Sequence, residues 1–498
     1  MNVNPITRLD YPDPDVIRVE DTYYMVSTTM HFMPGCEILQ SFDLVHWEHV
    51  TYVYETLDHT DAQQLKSGQN IYGQGMWAAS LRYHEGRFYI CFVANDTRKT
   101  YLYTSEKIDG PWKKQLIEGF YHDGSLLFDE DGRNYIVYGN DEIWITELNE
   151  DLTAPKKDGL HRLLVSDHKN PELGYEGSHI QKINGYYYIF LVHSLRDRWM
   201  RTEACFYSDS LEGEFTGGDV LCDDRGYCGQ GVAQGGIVDT PDGKWYAMLF
   251  QDSGAVGRIP ILLPVTWKDH FPVFGQNGHV PEEIEVHSTR PGYIYQPLVG
   301  SDDFCNGLLP RWQFNHDPDP RYYHLDALQG TYTITTREVC TELTQAVNTL
   351  TQRMSYPSCA AEVTVDASAL KEGDVAGLCA LQGCYAAVGI TKHHGKYEVL
   401  MLDKKEDGIL DMTEGTVVES HQMDFRLEAD FCNMKDEARC YYRVNKGDWL
   451  PIGTVHKLYF KLDHFTGCRF GLFCYAAEKT GGSACFRDFK YYDVDEIS

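Results

Sequence analysis

One short pattern, a turn pair followed by an aromatic-rich strand, occurs five times and limits what this chain can fold into. The copies are Glu20-Asp21-Thr22-Tyr23-Tyr24, Glu85-Gly86-Arg87-Phe88-Tyr89, Asp131-Gly132-Arg133-Asn134-Tyr135, Asn184-Gly185-Tyr186-Tyr187-Tyr188 and Asp242-Gly243-Lys244-Trp245-Tyr246. Asp-Gly and Asn-Gly supply the positive φ of a tight hairpin turn, and the rings that follow favour strands. Turn positions 21, 86, 132, 185 and 243 lie 65, 46, 53 and 58 residues apart. That spacing holds about four short strands per unit, the size of a propeller blade. A second pattern, Tyr103-Thr104-Ser105-Glu106 through Gly110-Pro111-Trp112, is echoed by Tyr207-Ser208-Asp209-Ser210-Leu211-Glu212-Gly213-Glu214-Phe215 and, more loosely, by Ser41-Phe42-Asp43-Leu44-Val45-His46-Trp47. No helical periodicity of any length interrupts these units.

The expected fold is therefore all-β, with a five-bladed β-propeller over residues 1–295. A turn-rich linker, Pro291-Gly292 to Val299-Gly300, follows. Beyond it the repeat stops but alternating strands continue, as in Thr331-Tyr332-Thr333-Ile334-Thr335 and Arg469-Phe470-Gly471-Leu472-Phe473. Many short strands with polar turns predict a β-sandwich over residues 302–498.

In a propeller the first strand of each blade lines the central channel, so residues at one fixed distance before the turn share one depth. Counting back nine from the turn gives Trp77, Asp123, Glu176 and Gln234, and counting back eight in the first unit, whose turn lacks Gly, gives Asp13. Taken singly, Asp13 and Asp123 read as turn formers, Glu176 as a solvated loop charge and Trp77 as core. Their shared phase favours a site, because unrelated turn residues have no reason to fall in register. Clustered carboxylates repel one another and are kept together mainly for metal binding or acid/base work. Glycoside hydrolysis needs two of them, a neutral acid and an ionised base or nucleophile, and a third can tune the acid. A Trp at the same level suits the wall of a sugar subsite.

These motifs resemble glycoside hydrolase family 43, inverting enzymes built on a five-bladed propeller. Asn4-Pro5-Ile6 with Tyr11-Pro12-Asp13-Pro14-Asp15-Val16 is similar to the family's opening motif, which implies Asp13 as general base with Asp15 as competitor. His122-Asp123-Gly124-Ser125-Leu126 resembles the element whose aspartate tunes the acid, and Tyr175-Glu176-Gly177-Ser178-His179 the element carrying the general acid, Glu176. Gly254-Ala255-Val256-Gly257-Arg258-Ile259-Pro260 resembles the element whose Arg, here Arg258, contacts sugar and carboxylates. Thr28-Thr29-Met30-His31-Phe32-Met33-Pro34-Gly35 resembles the loop that walls off the terminal sugar in exo-acting members, which implies His31 or Phe32 as lining. Gly124 and Ser178 replace prolines usual in the family. Gln234 stands where many members have a His that organises a cation or water, which argues against a structural calcium. From Asp302-Asp303-Phe304 through Trp312-Gln313-Phe314 and Asn348-Thr349-Leu350 to Asp374-Val375-Ala376 the second half resembles the concanavalin-like sandwich of family xylosidases.

The resemblance implies release of terminal xylose or arabinofuranose from oligosaccharides, without metal or organic cofactor. A retaining fructosidase is disfavoured, since its Asn-Asp-Pro-Asn and Glu-Cys motifs are missing. A non-catalytic carbohydrate-binding propeller would be expected to have lost a carboxylate. A formal charge of −30, from 44 basic and 74 acidic residues, repels nucleic acid and anionic membranes and leaves a neutral sugar unopposed. The start of the chain lacks a basic region followed by an apolar run. The 15 cysteines are odd in number with no Cys-x-x-Cys pair, which points to reduced thiols and the cytoplasm.

Overall fold

The computed structural model describes residues 2–413 and 415–493. The first half forms five four-stranded antiparallel sheets arranged as propeller blades. Their innermost strands are Asp15–Val19, Met76–His84, Ser125–Phe128, Glu176–Ile183 and Ala233–Asp239, in blades 1 to 5. Each hands over to the next strand at the repeat's turn, as between His84 and Arg87 or Ile183 and Tyr186. Apolar residues on alternate positions meet between blades. Val26, Ile38, Leu81, Ile90 and Tyr101 form one such layer, all fully buried, and each contributes about 1.5–3 kcal/mol by leaving water.

The ring is tied shut by its N-terminal segment. Asn4 lays its side-chain amide along blade 5, donating to the Leu262 carbonyl (2.8 Å) and accepting from the Leu262 N–H (3.1 Å). The amide thus imitates one residue of a strand.

The second half is a sandwich of a nine-stranded and a seven-stranded sheet. Leu378, Leu472, Val363, Phe425 and Phe486 fill the space between them. One edge of the nine-stranded sheet is supplied by the propeller, because Phe32–Met33 pairs antiparallel with Gln313–Asn315. A buried ion pair across the same seam joins Arg353 to Glu37 at 2.9 Å, with the guanidinium 4.0 Å from the Tyr11 ring centre. Burial alone would raise the Glu37 carboxyl, but Arg353 and His49 hold it down at about 2.

Candidate active site

The five inner strands bring their N-terminal ends to one mouth of the channel. Asp13, Asp123 and Gln234 all take up left-handed backbone there, with φ of 53°, 48° and 64°. That conformation is sterically costly for a residue with a Cβ and re-aims its side chain. The matching residue in blade 4 is Gly177 (φ 67°), not Glu176. Ladder pairing agrees: bulges place Trp77, Glu176 and Ala233 at one level and Gln234 one residue further in. Counting from the turn is corrected by one residue in blades 2 and 4. Their inner hairpins close over two residues, whereas those of blades 3 and 5 close over five.

Asp13 is buried, and both of its oxygens are held. Oδ1 accepts from Arg258 Nη1 (3.0 Å) and Oδ2 from the Thr28 hydroxyl (2.6 Å). Arg258 is itself 2% exposed, and among the described residues its buried Nε and Nη2 have no hydrogen-bond partner. Its guanidinium lies 4.1 Å from the centre of the Phe465 ring. Asp15, the sequence competitor, is instead structural. Its Oδ2 accepts from Arg82 Nη1 (2.8 Å) and the Leu81 N–H (2.7 Å). Arg82 also bonds the Ser125 hydroxyl and the Leu126 and Ile180 carbonyls, so it plugs the channel below the mouth. A separate cavity of about 420 Å³ opens beneath that plug, lined by Ile17, Arg82, Leu127, Gln181 and Val238 among others. None of the three mouth carboxylates reaches it.

Asp123 is buried, and its Oδ2 accepts the Gly177 N–H at 2.9 Å. Gly177 has no room for a Cβ, which would sit 2.7 Å from Gln234 Cγ. Glu176 Oε2 accepts from Asn140 Nδ2 at 2.7 Å. His122 Nε2 stands 3.5 Å from Asp123 Oδ2 and 3.4 Å from Glu176 Oε2. Burial pushes the Asp123 carboxyl up, with His122 the main opposing influence. Asp123 in turn pushes the His122 imidazole up to about 9. The donor atoms of these three side chains lie within 4.8 Å of one another. They are tied to each other, to Asn140 and to the Gly177 N–H, and we assign no metal to them.

Trp77 stands at the same mouth, its ring 5.4 Å from Phe465 and 6.2 Å from His122. Gln234 is buried, with its side chain over Gly177. His31 and Phe32, expected to line the sugar, lie elsewhere. Phe32 is in the strand that crosses to the sandwich, 2% exposed and 3.5 Å beneath the Arg469 guanidinium. His31 is fully buried among Tyr72, His316 and His464. Pairing across the seam turns both residues away from the mouth.

Sequence reasoning missed four residues. His122 and Asn140 contact the carboxylates as described. Arg201, paired with Asp252, faces Arg258, Glu176 and Asp13. Phe465 comes from the sandwich loop between strands Leu450–Lys457 and Arg469–Ala476. Its neighbour His464 stacks on Tyr72 at 4.0 Å, and Gly467 passes so close to blade 5 that a Cβ would lie 2.2 Å from the Val256 carbonyl.

Two ionisable carboxyls, Asp13 and Glu176, a third beside the latter, and an aromatic wall at one mouth of a five-bladed propeller define a glycoside hydrolase. A family model for glycosyl hydrolases family 43 matches residues 3–272, and one for the β-xylosidase C-terminal concanavalin A-like domain matches residues 301–492. The chain belongs to glycosyl hydrolase family 43. It is similar to a structure described as a bifunctional GH43-CE of Bacteroides eggerthii (42% identity, TM-score 0.92), covering 99% of this chain and 64% of that one. It spans somewhat under two thirds of that longer protein. A β-xylosidase of Formosa agariphila is 26% identical over 99% of this chain and 89% of its own. A xylosidase/arabinosidase of Butyrivibrio fibrisolvens is 24% identical over 99% of both.

Proposed function

We propose that the protein is an exo-acting, inverting hydrolase that releases terminal β-xylose from xylo-oligosaccharides, with α-L-arabinofuranose as the alternative terminal sugar. The observation that carries this is the division of roles between two blades. In this reading Asp13, clamped by Arg258 and Thr28, is the base, and Glu176, beside Asp123 and His122, is the acid. Asp13 takes a proton from water as the oxygen attacks the anomeric carbon. Glu176 gives its proton to the departing glycosidic oxygen as that C–O bond breaks. Room for the water calls for carboxyls about 6.5–9.5 Å apart. Arg258 holds Asp13 and stacks on Phe465 at the mouth, and Trp77 and Phe465 offer ring faces to the sugar. The sandwich loop across the mouth favours a chain end over a chain interior. No step calls on a metal. The names of the relatives, β-xylosidase and xylosidase/arabinosidase, support a pentose.

The test is hydrolysis of aryl β-D-xylopyranoside and α-L-arabinofuranoside by wild type and Glu176→Ala, with the anomer followed by proton NMR. Turnover by wild type alone, with α-xylose formed first from the β-xyloside, is the expected result. Initial β-xylose would refute inversion, and no turnover of either substrate would refute the pentosidase.

A further inference from the structure

Of the nine tryptophans Trp199 alone is exposed, and the reaction as written gives it nothing to do. An exposed apolar side chain taken singly is ordinary; the place of this one is what counts. Trp199 sits in the loop 195–200, between strands Tyr186–Ser194 and Arg201–Ser208 of blade 4. The inner strand of that blade starts at the mouth with Glu176, which pairs with Val192, and Ser194 pairs with Arg201. The loop therefore stands at the mouth, on the blade that carries Glu176. It is also held in place. The Leu195 N–H donates to the Met200 carbonyl (3.1 Å), Met200 is buried, and Arg196 is tied to Asp167 and to the Lys169 carbonyl (3.3 Å).

A chain of contacts leads from Trp199 to the reacting groups. The Arg201 guanidinium covers one face of its ring, 5.1 Å from the centre, and the residue is still 43% exposed. Arg201 and Arg258 lie 5.3 and 5.4 Å from the centre of the Phe250 ring. Arg258 bonds Asp13, and Arg201 faces Glu176 and Asp13. With Glu176 as acid and Asp13 as base, the anomeric carbon lies between them and the leaving oxygen is on the side of Glu176. The rest of the leaving group therefore extends over blade 4, away from the wall that Trp77 and Phe465 make. We propose that Trp199 is the platform of a leaving-group subsite, its free ring face stacking on the sugar unit that follows the terminal one. The ligand is an uncharged pyranosyl unit such as a xylosyl residue. Arg196 and Arg198 beside the ring are matched by Asp167 and Asp197, so they do not select an acidic sugar. This subsite rests on Glu176 being the acid.

The experiment compares wild type, Trp199→Ala, Trp199→Phe and Glu176→Ala on two substrates that share the preferred terminal pentose. The methyl glycoside offers no ring beyond the cleaved bond, whereas the disaccharide offers xylose as its leaving unit. For Trp199→Ala the expected loss in kcat/KM is about tenfold on the disaccharide and less than about twofold on the methyl glycoside, the size of one aromatic face contact. Trp199→Phe should recover most of the disaccharide rate. Inhibition by the free terminal pentose, which fills the inner site alone, should be unchanged in Trp199→Ala. Equal losses on both substrates, or weaker inhibition by the free pentose, would mean that Trp199 merely supports Arg201, and either result overturns the proposal. An unchanged disaccharide rate in Trp199→Ala overturns it too. The underlying reading fails in a different way. If wild type cleaves neither substrate, the pentosidase falls and the subsite with it. If Glu176→Ala keeps its rate on the methyl glycoside, the acid assignment falls. If wild type cleaves both, Glu176→Ala is impaired and Trp199→Ala does not distinguish the substrates, only the subsite falls.

Discussion

Acid should loosen the seam between propeller and sandwich, through three buried histidines that hold the loop carrying Phe465. His31, His316 and His464 lie together, with ring centres 4.9 Å apart for the first two and 5.8 Å for His31 and His464. Burial lowers all three; His31 is further lowered by His316, His464 and Arg469, and His316 by His464. Around His464, Asp463 opposes that lowering and Lys404 adds to it, leaving the imidazole at about 4 against an ordinary 6.5. The unfolded chain therefore binds protons that the folded one refuses. Stability contributed by these neutral rings is complete above about pH 6.5 and is lost as pH falls toward the folded values. Relative to pH 8, each such ring costs about 2 kcal/mol at pH 5, so the three together cost about 6 kcal/mol. His31→Leu removes one titrating ring and should reduce the loss between pH 8 and pH 5 by about 2 kcal/mol. Urea titrations at the two pH values, read by tryptophan fluorescence and by activity, measure it. If His31→Leu loses as much stability as wild type over that interval, the cluster is not what acid attacks.

Phe465→Ala removes the ring stacked on Arg258, an interaction of about 0.5–2 kcal/mol. The expected fall in kcat/KM is up to about 30-fold with the melting temperature little changed, checked by steady-state kinetics and calorimetry. Asp13→Asn and Asp15→Asn should part company. The first should lose about 1,000-fold or more in kcat, as removal of a catalytic base does, together with about 3 kcal/mol or more of stability as the buried Arg258 loses its counter-charge. The second should keep most of its turnover but lose about 3 kcal/mol or more of stability, because Arg82 is left as an uncompensated charge in the channel. Gly467→Ala puts a Cβ 2.2 Å from the Val256 carbonyl, so the loop must shift; reduced activity with an intact propeller signal in far-UV circular dichroism is expected.

The blades were legible because each carries the same turn chemistry, and a period of that kind survives any single weak copy. The depth of each channel residue was legible only as far as turn lengths agree. Blades 3 and 5 spend five residues on the inner turn and blades 1, 2 and 4 spend two. Counting from glycine therefore put Glu176 level with Asp123, one residue off its true counterpart, Gly177. The mouth survived this error because Glu176 is only one residue from Gly177, whose N–H bonds the Asp123 carboxylate, so its side chain still reaches the same mouth. The seam was not legible at all. Phe32–Met33 is a two-residue strand whose partner, Gln313–Asn315, lies far along the chain, and two residues carry no periodicity. A loop that resembles a wall of the sugar site was thus read as facing sugar, when its rings face the other domain. Phe465 did leave a trace. Tyr459, Phe460 and Phe465 crowd a segment whose Asp463 and Gly467 mark it as a turn rather than a strand. Rings in a strand need no explanation, since the sheet buries them. Rings in a turn must be buried by something else, and here that is the mouth of the propeller, through Arg258 and Trp77.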